Sequence, residues 1–346
     1  MTRAPLSHFR QRHRHTLLAL LLLASGLVDA CGGGGSSSAT EPPGTVGTGI
    51  QASATPLQDR YAHAGPRAVS VDRRAGCCDG KGNAYDVYRP RDLGAAASPR
   101  LPVVVWGSGS DATPERYDTF LMHLASWGMV VVATRDTATG TGDTLLDALA
   151  FIDAESNRSS SPYFGRIDLG QVASAGHSQG AAGAVNALTA SQGRIRHALA
   201  VGLPSQAICH GPYCNRVPID MPPGSAIFFV SGELDTLSPP TQAGSGTVTA
   251  PYQSVQAYYD AVPTGVVKAK GSVRGADHND LQGQPGCVAG APACRTGVQG
   301  YLGYPTAWLL WRLNGTADGP AMFSAANGEM TTKASGSWVL PQTNVP

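Results

Sequence analysis

Residues 170–190 read GQVASAGHSQGAAGAVNALTA. The segment 171–176 (QVASAG) is small and apolar like a buried strand, and 179–190 (QGAAGAVNALTA) has helical composition. Between them stands Ser178, flanked by Gly176 and Gly180 in a Gly-x-Ser-x-Gly pattern. In a chain with 43 glycines the bare pattern carries little weight. The context carries more: a serine on a sharp turn where a strand feeds a helix has the layout of a nucleophile elbow. The peptide N–H of Gln179, at the start of that helix, would face an oxyanion developing beside the serine.

The same texture extends on both sides. Short, nearly unbroken apolar runs occur at 85–90 (YDVYRP), 101–107 (LPVVVWG), 129–135 (MVVVATR), 198–203 (ALAVGL), 226–232 (AIFFVSG) and 266–272 (VVKAKGS). Unbroken runs suit strands buried on both faces, as in a parallel sheet. Helical period fills gaps between them: Tyr117, Leu121 and Leu124 share one face, as do Leu145, Leu149 and Ile152. The alternation predicts an α/β fold, with a mainly parallel central sheet and helices on both faces. The expected layout is an export signal at 1–30, a Gly/Ser/Pro linker at 31–60, one folded domain at 61–318 and an irregular tail at 319–346.

A basic start, an apolar run at 16–28 and Val28-Asp29-Ala30-Cys31 give the layout of a bacterial export leader with a lipoprotein-like cleavage site. The expected fate is a lipid anchor on Cys31 at the outer membrane or periplasm, or plain secretion. A lipid there would be the sole membrane attachment. The whole chain of 346 residues has a formal charge of +1. Losing the leader removes Arg3, Arg10, Arg12, Arg14 and Asp29 and tips the balance to slightly acidic. No basic run remains, which argues against a nucleic-acid partner. Beyond Cys31 the cysteines are Cys77, Cys78, Cys209, Cys214, Cys287 and Cys294. An even number fits an oxidising compartment. Local bridges 209–214 and 287–294 are suggested, with Cys77 and Cys78 either a vicinal pair or bound to distant partners. A zinc site is the weaker reading, because paired C-x-x-C spacing is missing.

A serine hydroxyl needs a base. Beyond the leader the histidines are His63, His123, His177, His197, His210 and His278. His123 falls on an amphipathic helix and is expected at its surface. His177 should point away from its neighbour Ser178, and His210 lies in the small cysteine loop. His278, in 273–283 (VRGADHNDLQG), follows the last long apolar run, where an α/β sheet presents its functional loops. It is the expected base. Asp235 follows the 226–232 run and is the expected acid, with Glu233 as fallback; Asp277, beside the base in sequence, reaches the far side of its ring poorly. The order Ser178, Asp235, His278 is that of the α/β-hydrolase fold. The loop after 101–107 should supply the second oxyanion N–H, from Ser110 first, or Gly109 or Asp111.

From about 85 to 315, residues 101–137, 170–183, 231–240 and 275–281 resemble bacterial cutinases and related polyester hydrolases. That resemblance implies an exported serine esterase of the α/β-hydrolase fold without a large lid. Ser178, His278 and Asp235 would be its triad, and the backbone of Gln179 and the Ser110 region its oxyanion hole. It also implies an ester substrate, which includes polymers, a monomeric state and no metal or organic cofactor. Two aromatic positions of that family fall on Ser110 and Ser205 here, which argues against aromatic polyesters; Trp106, Trp127 and Tyr163 are the remaining aromatic candidates. The competing readings are a non-catalytic ligand-binding lipoprotein on the same fold, and an amidase or peptidase with the same triad.

Overall fold

The computed structural model describes residues 54–94, 98–208, 221–242, 250–283, 295–333 and 336–346. Its centre is a nine-stranded sheet made of β1 (Val69–Gly76), β2 (Tyr85–Pro90), β3 (Leu101–Gly107), β4 (Val130–Thr134), β5 (Ile167–His177), β6 (His197–Val201), β7 (Ala226–Gly232), β8 (Val267–Val273) and β9 (Trp338–Thr343). The helices are α1 (Pro56–Ala62), α2 (Asp118–Ser126), α3 (Asp143–Asn157), α4 (Gln179–Ala190), α5 (Val255–Ala261), α6 (Gly303–Asn314), α7 (Asp318–Phe323) and α8 (Glu329–Thr332).

The strands lie in the order β1-β2-β4-β3-β5-β6-β7-β8-β9. Strands β3 to β8 are parallel, whereas β1, β2 and β9 run antiparallel to their inner neighbours. The fold is therefore α/β with a mostly parallel sheet. Each inner strand alternates its side chains between two cores. Val104, Trp106, Val131, Phe228 and Val230 face α2 and α6 residues such as Phe120, Leu124 and Trp308. Val103, Val105, Val132, Ile227 and Phe229 face α3, α4 and α5 residues such as Leu149, Val185 and Tyr258. Burial on both faces explains the unbroken apolar runs.

The winding changes direction at β3. Its successor β4 lies on one side and β5 on the other, with Gly107 level with Gly176. Their carboxyl ends form a topological switch point, where open α/β sheets leave a crevice.

Three stretches depart from the sequence expectations. Residues 319–346 are not an irregular tail: they form α7 and α8, and β9 closes one edge of the sheet against β8. Pro341, inside β9, is tolerated because an edge strand has one unpaired side. Nor is the linker unstructured to residue 60. Helix α1 is anchored by Glu329, a buried carboxylate that accepts the N–H groups of Leu57 (2.9 Å) and Gln58 (2.8 Å) at the helix start. The two misread ends hold each other. His123 is buried rather than at the surface of α2, and its Nε2–H donates to the Tyr61 carbonyl of α1 at 2.9 Å.

The Cys77 and Cys78 sulfurs are joined as a vicinal pair. The expected bridges 209–214 and 287–294, His210, the leader and Cys31 lie outside the described residues. No helix among the described residues is long and apolar enough to cross a membrane.

Candidate active site

Strand β5 ends at His177 and α4 begins at Gln179, so Ser178 makes the whole turn. It adopts φ 55° and ψ −124°, a backbone conformation that non-glycine residues rarely hold. Such strain costs on the order of 1–3 kcal/mol and persists only where the surroundings impose it. They do so here. The Ser178 N–H donates to Val201 O at 2.9 Å, and Ser178 O accepts from Ala181 N at 2.8 Å. A Cβ at Gly176 would overlap the Gly180 carbonyl, and a Cβ at Gly180 would overlap that of Gly107. The two glycines of the pattern are there because β3, β5 and α4 meet backbone to backbone.

The three side chains chosen from separate loops converge. Ser178 Oγ donates to His278 Nε2 at 2.8 Å, and His278 Nδ1–H donates to Asp235 Oδ2 at 2.8 Å. Asp235 and His278 are 2% and 5% exposed, so their pairing is shielded, whereas Ser178 is half-buried and reachable. The other Asp235 oxygen accepts the N–H groups of Leu237 (2.9 Å) and Ser238 (2.8 Å), which fix the carboxylate plane. Glu233 takes no part: it accepts from Gly275 N at 2.8 Å and ties the β7 loop to the β8 loop. Asp277 accepts the His278 N–H (2.8 Å) and pairs with Arg295 (3.1 Å).

The loop after β3 borders Ser178, since a Cβ on Gly109 would stand 3.3 Å from Ser178 Cβ. Of its N–H groups, that of Gly109 donates to Tyr117 Oη at 3.0 Å and that of Asp111 to Thr137 O at 3.2 Å. Those of Ser110 and Gln179 have no acceptor among the described residues. The N–H groups of Gly109 and Asp111 are thus occupied, and that of Ser110 is left. The Gln179 side chain donates to Ser110 Oγ at 3.0 Å and accepts from Gly140 N at 3.2 Å, bracing the loop from below.

No protein-family model and no curated protein matches the chain. Its site is read from its own geometry.

Two further residues support the site. Asp280 is fully buried and accepts the N–H groups of Asp277 (2.6 Å), Arg295 (2.9 Å), Thr296 and Gly297, stapling the His278 loop to the segment before α6. His177 does turn away from the serine, as expected, but is engaged on both ring nitrogens. The aromatic candidates do not form a surface at the site. Trp106 and Tyr163 are buried, and Trp127 packs half-buried on Tyr61. Ser205 is also buried, donating its N–H to Leu237 O. Among the described residues, the large exposed apolar side chains near Asp235 are Leu234 and Leu237, on either side of it, and Ile208 lies exposed in the loop after β6. A separate cleft of about 830 Å³ lies at the amino ends of β3 and β5, among Arg67, Arg100, Trp127, Trp311 and Arg312, at the opposite edge from Ser178. Among the described residues no group of three or more His, Cys, Asp or Glu is arranged to hold a metal ion.

Proposed function

We propose that the chain is a serine hydrolase of the α/β-hydrolase fold that cleaves carboxylic esters, in the manner of the bacterial cutinases it resembles. The observation that carries the reading is the unbroken chain Ser178 Oγ–His278 Nε2–Asp235, with both links at 2.8 Å, on a strained turn at the switch point of the sheet.

The chemistry follows from the protons. As Ser178 Oγ attacks the ester carbonyl carbon, its proton passes to His278 Nε2. Asp235 holds the opposite ring nitrogen in its protonated form and offsets the charge the imidazolium gains. The carbonyl oxygen becomes an oxyanion, received by the Gln179 and Ser110 N–H groups, each worth about 3 kcal/mol of barrier. Collapse expels the alcohol, which takes the proton from His278, and leaves an acyl group on Ser178. Water, deprotonated by the same imidazole, then releases the acid. This sequence needs only the chain's own residues.

Leu234, Leu237 and Ile208 offer an apolar rim, which supports esters with aliphatic acyl groups, including those of a polymer surface. Ser110 and Ser205 in place of aromatic side chains speak against aromatic polyesters. The leader sequence and Cys31 support an exported protein, lipid-anchored or secreted, and the family resemblance supports a monomer.

Initial rates on 4-nitrophenyl acetate and butyrate, with wild type and Ser178→Ala in parallel, test the proposal. The expected result is hydrolysis by wild type that falls by about 10³-fold or more in Ser178→Ala. Activity that survives the substitution unchanged refutes it.

A further inference from the structure

Immediately before the nucleophile, His177 is 1% exposed. Its partner Tyr117 closes the 3₁₀ turn Pro114–Tyr117 and is equally buried. We propose that Tyr117 and His177 form a buried positioning relay that couples the oxyanion loop to the backbone of the base, so that both halves of the machinery are set by one hydrogen-bonded chain. The inference rests on the reading of Ser178 as nucleophile and adds positioning residues to it.

The proton inventory makes the relay directional. Tyr117 Oη accepts from Gly109 N–H (3.0 Å) and from Gln282 Nε2–H (3.2 Å). Both lone pairs are then used, and the one hydroxyl proton is left for His177 Nδ1, 3.0 Å away. With Nδ1 an acceptor, the ring proton sits on Nε2 and donates to the His278 carbonyl at 2.8 Å. The far end demands the same tautomer, because a carbonyl only accepts. At one end the relay commits the Gly109 N–H, leaving the next N–H, that of Ser110, for substrate. At the other it pins the main chain of the residue whose side chain takes the serine proton.

The ring must also stay neutral. His177 and His278 have ring centroids 4.9 Å apart, so a charged His177 would oppose the imidazolium that catalysis requires on His278. Burial, reinforced by the adjacent His278, lowers the His177 pKa to about 3; Asp235 is the carboxylate acting the other way. Burial likewise pushes the Tyr117 hydroxyl up to about 12, so it keeps its proton. The relay is fixed across the working pH range.

Three variants and one spectrum test this. Tyr117→Phe preserves the ring that packs on Trp106, 5.0 Å away, and removes the hydroxyl. It should lower kcat roughly 10- to 100-fold with KM changed less than about twofold, since groups that act on geometry are felt in the transition state. His177→Gln keeps a side-chain N–H for the His278 carbonyl and should retain roughly tenfold more activity than His177→Leu. Wild-type kcat in Tyr117→Phe, or equal losses in the Gln and Leu variants, overturns the relay. Imidazole ¹⁵N spectra of the wild-type protein decide it independently of any activity or of variant folding. The expected signature is a His177 ring protonated on Nε2 alone, without titration between pH 5 and 9. A ring protonated on Nδ1, or a midpoint near 6.5, overturns it. Absence of ester hydrolysis by wild type would instead count against the proposed function, with the spectra still deciding the hydrogen-bond chain.

Discussion

Acidification from pH 7.5 to 5.0 should destabilise the folded protein before its carboxylates begin to matter. Two histidines are buried as neutral rings. His177 is held down to about 3 by burial and then by its neighbour His278. His197 is held down to about 4 by burial and then by Arg312 and Arg196. In the unfolded chain each returns to about 6.5. Because the folded values are the lower ones, the unfolded state takes up more protons as the pH falls. Stability is complete above about pH 7 and declines through 6.5 toward the folded values. At pH 5.0 each unfolded ring is almost fully protonated and each folded ring almost wholly neutral, a loss of about 2 kcal/mol per ring. The pair accounts for about 4 kcal/mol, set against a typical total of about 5–15 kcal/mol. Burial lowers His123 in the same direction. Glu115 interferes little: burial raises it, but hydrogen bonds from Thr113 and the backbone and the Arg135 pair bring it down to about 2. Its contribution is present above pH 4.5 and is lost only below it. Urea unfolding at pH 7.5, 6.5, 5.5 and 5.0 reads the effect as a falling midpoint at constant slope. In His197→Gln the decline between pH 7.5 and 5.0 should shrink by about half. A midpoint flat across that range, or a decline unchanged in His197→Gln, refutes the reasoning.

Three other outcomes follow from the same geometry. Gly180→Ala drives a Cβ into the Gly107 carbonyl at the tightest point of the elbow. It should cost more than about 3 kcal/mol in urea unfolding, or prevent folding, whereas an ordinary glycine-to-alanine change in a helix is neutral or stabilising. Asp235→Asn removes the charge that fixes the His278 tautomer, and should lower kcat on 4-nitrophenyl butyrate by about 10³- to 10⁴-fold while thermal unfolding moves little. Leu234→Ser combined with Leu237→Ser should leave kcat/KM on the acetate ester within about twofold and lower it for a long-chain ester by about tenfold, the value of burying about two methylenes.

The inner sheet was legible because strands buried on both faces write themselves as unbroken apolar runs, as in 101–107 and 226–232. Its edges were not. Strand β1 carries Asp72, Arg73 and Arg74 and β9 carries Pro341, features that protect edges from pairing but erase the strand signal. Ser178, Asp235 and His278 could be picked out because each sits just past a strand on the same side of a parallel sheet, so that order along the chain translates into place. Ser110 could be chosen only as one of three neighbours, and the Gly109–Tyr117 and Asp111–Thr137 hydrogen bonds separate them. Asp280 and Glu329 left no local trace, and nothing around Tyr117 and His177 in the sequence shows the hydrogen bonds they make. The partners of His177 and Glu329 lie far away in sequence, 101 residues for His177 and His278 and 272 for Leu57 and Glu329, and no periodicity spans such distances; those of Asp280 are backbone N–H groups, which carry no side-chain signal. His123 was misplaced for the same reason: the carbonyl it meets belongs to a helix within the apparent linker.

The most direct test is to treat the folded protein with a fluorophosphonate, which phosphonylates a serine activated by a neighbouring base with loss of fluoride, and to locate the adduct by peptide mass spectrometry. One adduct is expected, on Ser178, and its formation is abolished in His278→Ala. An unmodified Ser178 in folded wild-type protein, or labelling as fast in His278→Ala, would contradict the triad.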